Sequence, residues 1–273
     1  MKTILITGAT SGIGKSTAKM AIENKMKLIV VARNPKLVDK LTNELLTIDP
    51  NADISSFLCD FTDLKSIQEA AACILMKHPK IDYVYLNAGA LPKKKKEYMN
   101  DVPIAYLVNF IGPRYFFELI KPSLINGKEQ TLLYTVSMSS PKKITNVIRK
   151  DFEKLSKMKS YGIGKLLSAN YFTNLKDEEI KVRFIDPRIV YSNATINFLP
   201  KLIRFIHPLI RLVSRMPEKI AKEVEKIIDL ESEKRVSLFI RGKQKPLKKL
   251  YLDKQVLRFG EEVYQSGVKK LLK

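Results

Sequence analysis

The chain alternates short, continuously apolar runs with longer stretches whose apolar residues recur every three to four positions. The first run, residues 3–7, is β-branched and apolar throughout, the pattern of a strand covered on both faces. Further strands are predicted at 28–32, 54–59, 81–86, 131–136, 182–185 and 236–240. The stretches between them predict helices: from the turn after residue 7 to about 24, then 35–47, 64–77, 102–124, 160–175, 217–230 and 252–272. Pro35 and Pro103 suit first helical turns. Pro113, inside the fourth predicted helix, should kink it. Strand–helix alternation of this kind predicts an α/β fold, a doubly wound parallel sheet. The 273 residues contain no Gly/Ser-rich or Pro-rich linker and no internal repeat, so one domain spanning 1–273 is expected.

The link between the first strand and the first helix reads Gly8-Ala9-Thr10-Ser11-Gly12-Ile13-Gly14. Its glycines at 8, 12 and 14 allow a tight turn and a close approach of backbone to ligand. The helix that follows offers free N–H groups and a positive dipole end to a pyrophosphate. The spacing is a variant of the dinucleotide fingerprint. The second strand ends in Arg33, where an α/β dinucleotide fold contacts the adenosine ribose; a cation there pairs with a 2′-phosphate, which favours NADP(H) over NAD(H). Asp60 ends the third strand, placed to accept from an adenine amine, and Asp63 or Thr62 is the expected cap of the next helix. Asn87-Ala88-Gly89 ends the fourth, with small residues that let the chain pass under a nicotinamide ribose. Tyr161 and Lys165 are four residues apart and share a helical face. The two glycines between them, Gly162 and Gly164, are poor helix formers and have no explanation in the sequence.

Composition adds two points. The net charge of +21 draws polyanions, yet no helix-turn-helix, zinc spacing or aromatic RNA-binding signature accompanies it, so nucleic acid is not an expected partner and no metal is expected. Cys59 and Cys73 are expected to be reduced, buried and inert. The first strand begins at residue 3, so no signal peptide is expected ahead of it. Residues 194–216 mix apolar side chains with Lys201, Arg204, His207, Arg211 and Arg215 and are broken by Pro200 and Pro208. The segment is too charged to span a bilayer and reads as an amphipathic lid or membrane-contact segment. Residues 251–272 read as a basic C-terminal helix, and the lysines at 93–96 as a solvated or membrane-facing loop.

Together Thr7-Gly8-x-x-x-Gly12-x-Gly14, Asp60, Asn87-Ala88-Gly89, Asn109, Ser137 and Tyr161-x-x-x-Lys165 resemble the short-chain dehydrogenase/reductase family, in its order and at its spacings. Within it the chain is most similar to the sterol 3-ketoreductases, through Tyr85 to Pro92, Leu132 to Ser137 with Pro141-Lys142-Lys143, and Asp151-Phe152 leading into Tyr161. Retinol dehydrogenases share part of this pattern. The resemblance implies hydride transfer from NADPH to a lipophilic ketone, with Tyr161 as proton donor. Lys165 would hold the ribose and favour phenolate, and Ser137, or Ser139, would hold the carbonyl oxygen. Asn109 would hold a water that relays protons to Lys165. It places the cofactor on Gly8, Thr10, Ser11, Gly12, Ile13, Gly14, Arg33, Asp60, Phe61, Asn87, Ala88, Gly89, Tyr161, Lys165, Pro187, Val190 and Ser192. It also implies a homodimer, and a cytoplasmic protein held peripherally at the cytosolic face of the endoplasmic reticulum membrane. Retinal or another lipid carbonyl is the alternative substrate, and a non-catalytic NADP-binding regulator the alternative class. Two departures stand out: Val136-Ser137 where the family has paired serines, and Arg188 where it has glycine after Pro187.

Overall fold

A computed structural model of the chain describes residues 1–92, 97–148, 155–190, 214–230 and 234–272. Its centre is one eight-stranded sheet. β1 (Thr3–Thr7), β2 (Lys27–Ala32) and β3 (Ile54–Leu58) run outward on one side. β4 (Tyr83–Leu86), β7 (Thr131–Thr135), β8 (Lys181–Asp186) and β9 (Val236–Ile240) run outward on the other. All seven are parallel, in the order β9-β8-β7-β4-β1-β2-β3. The order reverses between β1 and β4, and a doubly wound sheet opens a crevice at the carboxyl ends of the strands there.

β1 is buried at all five positions because helices cover both faces of the sheet. On one face lie α1 (Gly12–Glu23), α2 (Pro35–Leu46) and a later helix, Pro217–Ile228, which packs along α1. On the other lie α3 (Leu64–Lys77), a helical run from 104 to 125, and α6 (Lys157–Thr173). The Pro217–Ile228 helix is α7, and α8 (Lys254–Leu271) covers α6 from outside. Asp63 caps α3, accepting from Lys65 N at 2.9 Å, which settles the choice between Asp63 and Thr62.

Several predicted elements are corrected. Residues 102–124 are not one kinked helix. Val102–Pro103 forms β6 of a hairpin with β5 (Tyr98–Met99), turned by Asn100 and Asp101, both at positive φ. A short turn α4 (Ile104–Tyr106), a π-turn (Leu107–Ile111) and α5 (Gly112–Ile125) follow. Pro113 sits in the first turn of α5, where its missing N–H costs nothing. α6 begins at Lys157 rather than 160, because Ser156 accepts the Lys159 N–H as its cap. A two-residue Arg241-Gly242 turn adds an antiparallel edge strand, β10 (Lys243–Lys245). Cys73 is exposed on α3, not buried, while Cys59 is buried.

α8 is fastened by one cation. The Arg114 guanidinium lies 4.1 Å from the Tyr171 ring and 3.7 Å from the Tyr264 ring. It also donates to both Glu261 oxygens, at 2.7 and 3.1 Å, and to Glu118 at 2.9 Å. Arg114→Ala removes two cation–π contacts and leaves three acceptors short of a donor. It is expected to lower stability by about 2 kcal/mol and to loosen α8, read by urea unfolding and by amide exchange in residues 254–271.

Candidate functional site

The carboxyl ends of β1, β2, β4, β7 and β8 surround a cleft of about 900 Å³. That size suits a dinucleotide portion plus an organic substrate. Its floor depends on two hydroxyls. Thr7 Oγ1 accepts from both Asn87 N (3.1 Å) and Ala88 N (3.0 Å), which ties the ends of β1 and β4 together. Thr135 donates to Asn87 Oδ1 at 3.3 Å and draws β7 into the same network. Gly8 and Gly12 take positive φ. A Cβ on Gly8 would stand 2.9 Å from Ala88 Cα, and one on Gly14 would overlap the Gly8 carbonyl and reach Asn87. The turn packs so closely on Ala88 and Asn87 that side chains at 8 and 14 have no room, and it brings the N-terminus of α1, where a pyrophosphate is favoured, to the cleft. The Ser11 side chain accepts none of the α1 N–H groups.

Most predicted cofactor residues line this cleft: Gly8, Thr10, Ser11, Gly12, Ile13, Arg33, Asp60, Phe61, Asn87, Ala88, Gly89, Tyr161, Lys165, Pro187 and Val190. Gly14 lies behind the wall and acts through packing. Ser192 lies outside the described residues, as do the lysines at 93–96, the pair Asp151 and Phe152, and nearly all of the 194–216 segment. Arg33 projects with its side chain 72% exposed, 3.8 Å from Asp60 Oδ2. The other Asp60 oxygen accepts from Thr62 N and Oγ1 at 2.9 and 2.8 Å, so only Oδ2 is left to face a base. Lys15 pairs with Glu44 at 2.6 Å and is turned away from the glycine turn. Val108, Met138, Met158 and Ile189, which the sequence did not single out as site residues, also line the cleft and, with Ala90 and Leu91, make part of its lining apolar. Such side chains carry no chemical signature that reveals them before folding.

Ser137, Tyr161 and Lys165 all face the cleft. Ser137 Oγ lies 2.8 Å from Ser139 Oγ and accepts from Ser139 N at 3.1 Å. Both serines therefore line the cleft beside Tyr161. Burial pushes the Tyr161 phenol up to about 12; Ser137 pulls it down, and nearby Asp186 raises it further. Lys165 is 1% exposed, and burial drives its ammonium down to about 7. The lowered phenol expected from Lys165 is thus not found in the free protein, because desolvation acts on both groups in the direction of neutrality. The Lys165 Nζ donates to Ala88 O at 3.4 Å and stands 4.8 Å from the Tyr134 ring centroid.

The glycines in the Tyr161–Lys165 interval now have a cause. A Cβ on Gly162 would overlap the Ser139 carbonyl, and one on Gly164 would lie 2.9 Å from Ala105 O and 3.1 Å from Asn109 Cβ. They let α6 close onto the serine loop on one side and the π-turn on the other.

Asn109 already carries several hydrogen bonds, and its Oδ1 keeps one acceptor position on the side of Gly89 and Lys165. Its amide donates to Ala90 O (2.9 Å) and Ala105 O (2.8 Å), and its Oδ1 accepts from Ala90 N (3.2 Å). Its backbone carbonyl, turned out of the helical ladder by the π-turn, accepts from Tyr134 (3.0 Å) and Ser168 (2.8 Å). Asn109 braces the Asn87–Ala90 segment against α6; it does not line the cleft.

Arg188 takes the left-handed φ of +62° that its position demands. Asp186 Oδ1 accepts its N–H at 3.1 Å and holds that turn, with the Arg188 side chain at the cleft wall.

Comparison with known proteins agrees with this picture. A family model described as short chain dehydrogenase matches residues 2–149. A putative daunorubicin C-13 ketoreductase of Streptomyces sp. (strain C5) is 29% identical over 128 residues, 46% of this chain and 44% of that protein. The 3-keto-steroid reductase/17-beta-hydroxysteroid dehydrogenase 7 of Rattus norvegicus is 33% identical over 93 residues, 33% of this chain and 28% of that protein. The chain thus aligns with less than half the length of either relative. Among solved structures, an alcohol dehydrogenase from Thermococcus sibiricus complexed with 5-hydroxy-NADP superposes with a TM-score of 0.65. It is 18% identical and covers 88% of this chain and 95% of its own, a likeness of fold.

Lys165 gives a stability test. Its folded value near 7 lies below the unfolded value of about 10.4, so the unfolded state binds more protons between those limits. The penalty is fully present below pH 7 and fades as pH rises toward 10. Lys165→Met is therefore expected to be a few kcal/mol more stable than the parent at pH 7, with the gap closing by pH 10, measured by urea unfolding without nucleotide.

Proposed function

Because the chain belongs to the short-chain dehydrogenase family, we propose that it reduces a ketone on a sterol or similarly lipophilic molecule, with NADPH as cofactor. The observation that carries this reading is the convergence of Ser137, Tyr161 and Lys165 on one end of a cleft whose glycine turn suits a dinucleotide. When bound, the reduced nicotinamide supplies the hydride.

The chain's own residues do the rest. Ser137 hydrogen-bonds the carbonyl oxygen and holds it against Tyr161, where negative charge develops. Tyr161, kept protonated at neutral pH by burial, gives its proton to that oxygen. Lys165, close above Gly89, is placed to hold a ribose hydroxyl. Arg33, exposed at the end of β2, pairs with the 2′-phosphate that distinguishes NADPH from NADH.

The apolar lining formed by Leu91, Val108, Met138, Met158 and Ile189 supports a lipophilic substrate. The names of the two aligned relatives, a ketoreductase and a 3-keto-steroid reductase, point the same way. Retinal or another lipid carbonyl fits the same chemistry. A non-catalytic regulator would have no need of the serine–tyrosine pair. Peripheral contact with an anionic membrane, at the cytosolic face of the endoplasmic reticulum, belongs to the proposal through the net charge of +21. Among the described residues no helix is long and apolar enough to cross a membrane.

Tyr161→Phe is expected to reduce turnover of a 3-ketosterol by at least about 10³-fold while NADPH affinity, read by nicotinamide fluorescence, stays within about twofold. Equal loss of both would remove Tyr161 as the acid. Arg33→Ala is expected to weaken NADPH by about 10-fold or more and leave NADH unchanged, since only the 2′-phosphate pairs with it; an unaltered preference would take Arg33 out of the site.

A further inference from the structure

Behind the serine loop lies a charged pair that no part of the reading above uses. Asp186, at the end of β8, is 1% exposed. Its Oδ2 stands 3.8 Å from Lys248 Nζ, and Lys248 Nζ donates to the Ser137 backbone carbonyl at 3.2 Å. Its Oδ1 accepts the Arg188 N–H. One buried carboxylate is therefore linked to both walls of the reacting end: directly to the Pro187–Val190 wall through Oδ1, and to the serine loop by way of Lys248.

Lys248 is brought there by the helix that carries Tyr161. Asn170 of α6 donates to Leu250 O (2.9 Å) and Asp253 O (3.0 Å), and Asn174 donates to Tyr251 O (3.3 Å). Tyr251 is fully buried, and Lys248 lies 5.5 Å from its ring centroid. The connection between β10 and α8 is thus bolted to α6, and Lys248 reaches from it across to β7 and β8.

We infer that Lys248 is a positioning residue for carbonyl reduction, holding Ser137 against Tyr161 through its backbone carbonyl and neutralising Asp186 beside the phenol. The inference rests on the reductase reading. Asp186 faces Lys248, the Arg188 side chain at 4.0 Å, and the phenols of Tyr161 and Tyr251. Its negative charge opposes the negative charge that develops at the substrate oxygen and on Tyr161, so an unpaired Asp186 works against the reaction. Lys248 offsets it while pinning the serine. Methionine at 248 keeps the stem's packing and loses both effects. Arginine keeps both a charge and donors. Asparagine at 186 retains an acceptor for the Arg188 N–H and removes only the charge, which separates the turn from the ion pair.

The test uses the full-length protein saturated with NADPH and a 3-ketosterol as probe. Lys248→Met is expected to lower kcat about 10- to 100-fold, with NADPH affinity and the sterol KM within about twofold. Lys248→Arg recovers most of the loss. The double variant Lys248→Met/Asp186→Asn recovers part of that loss, because the unpaired charge is gone while Ser137 still lacks its pin; a double variant no better than Lys248→Met overturns the charge-offsetting role. A parental kcat in Lys248→Met, or a loss that Lys248→Arg fails to recover, overturns the inference. A second readout does not need turnover. With ¹³Cζ-tyrosine, the Tyr161 resonance, assigned by its absence in Tyr161→Phe, is expected to move in Lys248→Met and return in Lys248→Arg. If the parent protein reduces no carbonyl, the reductase reading fails by itself. A resonance that stays put in Lys248→Met overturns the positioning role whether or not a ketone is turned over.

Discussion

The burial of the Lys165 ammonium constrains everything around it. A lysine held at 1% exposure with no carboxylate partner among the described residues costs the fold stability, and burial accounts for the fall of its titration toward 7. Keeping it in place takes close packing on every side. Gly89 must lack a side chain, since a Cβ would stand 2.9 Å from Nζ. Gly164 must lack one so that α6 can rest on the π-turn. Asn109 must spend its amide on Ala90 and its carbonyl on Tyr134 and Ser168, so that the strand end under the lysine stays fixed. The instability is local and faces the cleft, where strain of this kind is retained for function rather than for folding.

How much of this the sequence shows depends on whether the signal is local. The parallel strands were readable because burial on both faces demands unbroken apolar runs, and each begins and ends within a few residues of its predicted limits. The glycine turn and Arg33 were readable because their function follows from backbone freedom and charge at a fixed place in the topology. The hairpins at 98–103 and 236–245 were not read, although Asn100-Asp101 and Arg241-Gly242 mark their turns. Two- and three-residue strands have no periodicity to detect. The π-turn is invisible for a different reason: it arises where the Asn109 carbonyl is drawn out by Tyr134 and Ser168, residues 25 and 59 positions away in the chain. Gly162 and Gly164 were visible as an anomaly in a helix, but only the neighbours they admit, Ser139 and Ala105, explain them.

The two halves of the chain contribute unequally to recognition. The family model ends at residue 149, so it covers the glycine turn, Arg33, Asp60, Asn87 and Ser137, but neither Tyr161 nor Lys165. These two enter the site through their four-residue spacing in the sequence and the placement of α6 in the structure. α6 brings them to the cleft from the far side of a charged connection, and β8 and β9 then extend the sheet in the same parallel sense. One departure from the family's pattern, Arg188 after Pro187, also falls in this second half.

Arg188 shows how such a departure is accommodated. The position after Pro187 requires a left-handed backbone, which glycine adopts without strain and arginine does not. The chain keeps the conformation by placing Asp186 two residues earlier, whose carboxylate accepts the Arg188 N–H as short polar side chains do in Asx turns. That solution puts a negative charge in the interior, 1% exposed, within electrostatic reach of the proton donor of the proposed reaction. A buried charge of that kind demands a partner, and Lys248, delivered by a segment fixed to α6, stands where the partner must be. A substitution in one wall of the cleft is thereby connected, through three side chains, to the C-terminal segment that lies outside the matched family region.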